Sequence, residues 1–116
     1  MKVYFARPIS NYKTLQDQRD IELIQSLGFE LLNPDKEEFA EKYKTEGMSA
    51  FYNAISQCDG VIFRSFVDGN ISAGVYGEIC YAVENNKFVL ELPTISSKRV
   101  LCVDDTRTYL KLLGNR

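Results

Sequence analysis

The 116-residue chain contains no histidine and no tryptophan. Without histidine, Ser-His-Asp and Cys-His catalysis and His-ligated metal sites are excluded. Proton chemistry then falls to carboxylates, tyrosine, lysine or cysteine. The three cysteines, Cys58, Cys80 and Cys102, form no CxxC pair. Their apolar contexts predict reduced thiols and a cytoplasmic location. No apolar run approaches the ~20 residues of a membrane span, and "MKVYFARP" reads as a strand, not as a signal peptide. The net charge of −2 lacks the basic excess of a nucleic-acid-binding protein. Neither a membrane nor a nucleic acid is therefore expected as a partner.

What is present is a soluble globular composition, 45% hydrophobic and 26% charged, in a length that fits one domain over residues 1–116. Short β-branched and aromatic runs predict strands at "KVYFA", "FELLNP", "GVIF", "KFVLEL" and "KRVLCV". Between them lie helical patterns. In "TLQDQRDIELIQSLG", Leu15, Ile21, Ile24 and Leu27 recur at near-helical spacing, with Thr14 as cap and Gly28 as stop. "DKEEFAEKYKTEG" reads as a solvated helix or lid, "SAFYNAISQC" as an amphipathic helix, and "DDTRTYLKLLG" as a final helix. Alternating strands and helices imply a small doubly wound α/β domain, Rossmann-like or flavodoxin-like. It would have about five parallel strands and helices on both faces. Ligands of such sheets sit at the carboxyl ends of the strands.

That rim would hold the start of "ISAGVYGEICYA", residues 71–82. Ser72 and Gly74 lead into a helix whose N–H groups and dipole favour an anion, a phosphate above all. Glu78 follows. A carboxylate makes a poor phosphate ligand, so it reads either as a nucleophile or base aimed beside the phosphate, or as a capping acid in the first helical turn.

The chain resembles the nucleoside 2-deoxyribosyltransferases, and in motif most closely the 2′-deoxynucleoside 5′-monophosphate N-glycosidases. The resemblance rests on "VYFARPIS", the "NP" after the second strand, "CDGVIF" and above all "SAGVYGEICYA". It implies that Glu78 is a nucleophile on the anomeric carbon and that Tyr4 helps to hold its carboxylate. It also implies that Ser72 contacts the 5′ end of the sugar. The hydrolases carry serine there and bind a phosphate, whereas the transferases carry aspartate. The substrate implied is a nucleotide or nucleoside, with no cofactor and no metal, and a neighbouring subunit of a homodimer or higher homo-oligomer completes the site. The chain departs from the pattern at the proton donor. The family's aspartate, eight residues before Asp59, is replaced here by Phe51, and no acid lies between Gly47 and Cys58. Tyr52 and Asn53 remain as hydrogen-bonding groups for a base, and Arg7 and Ser10 as further phosphate contacts. The alternatives to hydrolysis are transfer between bases, and nucleotide binding or sequestration with weak or no catalysis.

Overall fold

The fold is taken from a computed structural model, which describes residues 1–66 and 68–93. The strands are β1 (Lys2–Ala6), β2 (Glu30–Leu32), β3 (Gly60–Phe63) and β4 (Phe88–Glu91). They form a wholly parallel sheet in the order β2-β1-β3-β4. Four helices connect them: α1 (Leu15–Ser26), α2 (Glu37–Glu46), α3 (Ser49–Ser56) and α4 (Ala73–Glu84). The proposed fifth strand "KRVLCV", the final helix and Cys102 lie outside the described residues. Among those residues no helix is long and apolar enough to cross a membrane.

β1 is buried on both faces, as a strand inside a parallel sheet must be. Its side chains alternate between two apolar clusters. Val3 and Phe5 join Ile62 of β3 and Ile24 of α1. Tyr4 and Ala6 join Val61 with Phe39 of α2, Ala54 and Ile55 of α3, and Val75 and Ala82 of α4. The chain leaves β1 toward β2 and later returns to β3 on the other side, so the order reverses between β1 and β3. A crevice opens at the carboxyl ends of strands at such a point.

The apolar stripe expected on α1 reaches the core only in part, through Ile24 and, packed against the same cluster, Ile21. Leu15 is 63% exposed and Leu27 59%, while Asp17 and Asp20 are buried. The reason is two ion pairs. Asp17 takes Arg7, which follows β1, with Nε to Oδ1 at 2.7 Å and Nη2 to Oδ2 at 3.0 Å. Asp20 takes Arg64, which follows β3, with Nε to Oδ2 at 2.8 Å and Nη2 to Oδ1 at 2.6 Å. A buried aspartate is tolerable because a bidentate guanidinium matches both its charge and its geometry. Thr14 caps α1 as expected, accepting from Asp17 N at 3.1 Å.

Candidate functional site

A cavity of about 600 Å³ occupies the crevice, a size suited to one small ligand. Tyr4, Arg7, Ser10, Ser72, Gly74 and Glu78 all line it. Asn53 does not; it lines a second cavity with Lys42 and Gln57. Its neighbour Tyr52 lines the first. Successive residues on a helix point about 100° apart, so α3 sends these two side chains to different sides.

Ser72 is the N-cap of α4. Its backbone is extended, and its Oγ accepts from Val75 N at 3.3 Å. The N–H groups of Ala73 and Gly74, ahead of the first intrahelical bond, have no partner among the described residues. Such groups are the unsatisfied donors that a helix start presents to an anion. A Cβ at position 74 would meet nothing within 4 Å among the described residues. Packing against those residues therefore does not require glycine at this point of the cavity wall.

Glu78 lies in the second turn of α4, not the first, and so does not cap the helix. It is 6% exposed, and its Oε2 has no hydrogen-bond partner among the described residues. Burial pushes its carboxyl up to about 7, against the opposing pull of the Tyr4 hydroxyl and the Arg7 guanidinium. An acid with that midpoint exchanges its proton near neutral pH. Tyr4 reaches Glu78 from the middle of β1. Burial, with the Glu78 charge added, raises its phenol far above the ordinary range. Tyr4 is thus held as a neutral donor beside the acid.

Arg7 is more committed than its sequence position suggests. Besides Asp17, its Nη1 donates to Asn33 Oδ1 at 2.8 Å and to the Phe5 carbonyl at 3.3 Å. The guanidinium carbon sits 4.4 Å from the ring centroids of Phe5 and Tyr12. The Asp17 carboxylate neutralises its charge at close range, which leaves little of it for a ligand. Tyr12 stands beside it in the cavity wall, its phenol pushed up to about 12 by burial.

The sequence does not announce the aromatic part of the cavity wall. Tyr43, Met48, Phe51 and Phe66 also line the cavity. Tyr43 comes from the charged α2, whose Phe39 is buried and stacks on Phe51 at 6.1 Å, with Tyr43 tilted against the same ring at 5.6 Å. The i, i+4 spacing of Phe39 and Tyr43 was the available signal. Tyr52 stacks on Tyr81 of α4 at 5.0 Å, nearly parallel. The arrangement offers a buried acid, a row of N–H donors and flat apolar faces within one space. It suits a ligand with an anionic end, a polar middle and a planar end. Among the described residues no group of three or more Cys, Asp or Glu side chains gathers to hold a metal ion. In comparisons with known proteins, no family model, no curated protein and no solved structure matches the chain.

Proposed function

We propose that this protein hydrolyses the N-glycosidic bond of a nucleoside 5′-monophosphate, the activity implied by its resemblance to the 2′-deoxynucleoside 5′-monophosphate N-glycosidases. The observation that carries the reading is Glu78: a buried carboxyl with an unpartnered oxygen, titrating near 7, on the wall of a cavity that also holds the open start of its own helix. In this reading the N–H groups of Ala73 and Gly74 and the Ser72 hydroxyl take the phosphate. That contact sets the anomeric carbon over Glu78. A Glu78 oxygen bonds to C1′ as the C1′–N bond breaks, and the bonding electron pair leaves with the base. The base takes its proton from water. A second water then attacks C1′, gives up a proton and releases the carboxylate. The products are free base and sugar 5-phosphate, with retained configuration. Tyr4 holds the carboxylate in place. The phosphate lies at the first turn of α4 and Glu78 one turn further in, so their like charges are kept apart along the helix.

One observation favours a second reading. Among the described residues Glu78 is the sole acid lining the cavity. A nucleotide binder without efficient turnover would need no proton donor at the base end. The transferase alternative differs at the 5′ group, where Ser72 suits a phosphate and the transferases' aspartate a free hydroxyl. The same proposal includes a cytoplasmic homodimer or higher homo-oligomer in which a neighbouring copy covers the cavity. Tyr76 and Val83 on the exposed side of α4 supply apolar surface for it. The test of the main reading is Glu78→Gln, assayed for free base by chromatography on a panel of nucleoside 5′-monophosphates. Base release should fall by several orders of magnitude while nucleotide binding persists. Near-full activity in that variant overturns the mechanism.

A further inference from the structure

Gly77 and Tyr52 interlock. A Cβ at position 77 would lie 2.7 Å from the Tyr52 hydroxyl oxygen, inside any permitted contact, but 3.8 Å from the ring carbon that bears it. The hydroxyl therefore occupies the place of the missing side chain, one residue from Glu78. The ring is also held by its stack on Tyr81, a full turn along α4 from Gly77. Tyr52 also lines the cavity, and its hydroxyl has no hydrogen-bond partner among the described residues. A phenol so placed, with no partner among the described residues, is free to donate to a group in the cavity.

We infer that Tyr52 contacts the departing base. Its hydroxyl, seated in the notch at Gly77, donates a hydrogen bond to the base as negative charge develops there. This rests on the glycosidase reading and supplies what the absent aspartate leaves open. The phenol keeps its proton: the base departs with the electron pair of the C1′–N bond, is stabilised by the hydrogen bond, and is protonated by water. Donors aimed at developing charge are worth about 10²–10³ in rate. A base that leaves as a neutral molecule needs no such help.

The variant is Tyr52→Phe, which keeps the stack and removes the oxygen. The substrates are the four common 2′-deoxynucleoside 5′-monophosphates and N7-methyl-2′-deoxyguanosine 5′-monophosphate, whose cationic base departs neutral. kcat on the unmodified substrate should fall about 100-fold, and on the methylated one less than about threefold. Equal losses on both, or no loss on either, overturn the assignment of Tyr52 while leaving Glu78 as nucleophile. If the wild-type protein releases base from none of the five and from none of the matching ribonucleotides, the glycosidase reading falls and takes this role with it. The notch is tested separately by thermal unfolding. Gly77→Ala alone should lower Tm by about 5 °C, because the methyl group displaces the hydroxyl. In the Tyr52→Phe background the same change should raise Tm or leave it unchanged, because 3.8 Å is ordinary contact and alanine favours a helix. Equal effects of Gly77→Ala in the two backgrounds overturn the interlock.

Discussion

Replacing Glu78 by glutamine should stabilise the protein, and by an amount that grows with pH. In the folded chain burial holds the Glu78 carboxyl protonated up to about 7, against 4.5 for an unhindered group. Between those two values the folded state binds a proton that the unfolded state has released. Stability contributed by this group therefore falls as pH rises through the interval. Each pH unit is worth about 1.4 kcal/mol, so over the interval from 4.5 to about 7 the ionised acid comes to cost folding about 3 kcal/mol. Glutamine carries no such charge. Below pH 4.5 the two proteins differ only by constant packing and hydrogen-bonding terms, while at pH 8 the variant gains the full amount. For a chain of this size that corresponds to a difference in Tm on the order of 10 °C. The assay is thermal or urea unfolding of both proteins at pH 4.5, 6 and 8, with the quantity of interest being the difference between them. A pH-independent difference would show that Glu78 is not a strained buried acid, and the case for it as a nucleophile would lose its main support. The same midpoint predicts the rate profile: kcat/KM should rise about tenfold per unit below pH 7 and level off above it.

The 5′ group is probed by two changes at Ser72. Ser72→Ala should lower stability by about 1 kcal/mol through loss of the cap and weaken a nucleotide more than its nucleoside. Ser72→Asp should keep the cap yet shift preference to the free 5′-hydroxyl, as read from paired specificity constants or Kd values; equal values for both ligands refute the phosphate site. Gly74→Ala should stabilise the fold by up to about 1 kcal/mol, because its Cβ meets nothing among the described residues, and weaken nucleotide binding; unchanged affinity by calorimetry would show that no ligand approaches there. Light scattering at micromolar concentration should give a mass at least twice 13.3 kDa, and a monomer alone counts against a shared site.

The parts of this structure legible in the sequence are those governed by local rules. β3 and the cap of α1 lie where "GVIF" and Thr14 put them, because a β-branched run and an N-cap residue act over a few positions. α1 was misread in one respect for the opposite reason. Its buried positions are Asp17, Asp20 and Ile24, and the partner of Asp20 is 44 residues away in sequence. Hydrophobic periodicity cannot register a charge neutralised at that distance. Arg7 reads as a phosphate contact because its place on the rim is legible in the sequence, whereas its pairing with Asp17 is not. On α3, Tyr52 and Asn53 stood together as candidates, and only the helix phase separates them. The aromatic wall escaped because Tyr43 sits in a run whose charge dominates its pattern.

The paired arginines have a consequence for motion. Ala6 and Phe63 are register partners, so Arg7 and Arg64 leave adjacent strands at the same level, and the amide of Arg64 donates to the Ala6 carbonyl at 3.0 Å. Each guanidinium then grips a successive turn of one helix through its own aspartate. The rim on that flank is pinned across two strands and a helix at once, and it cannot loosen piecemeal. Amide hydrogens there should exchange with solvent only as the whole domain opens. α2, by contrast, buries Phe39 alone and rests its Tyr43 on Phe51. Breathing of the cavity therefore belongs to the aromatic flank, and a planar ligand would enter by parting rings, with the acid and the helix start standing still.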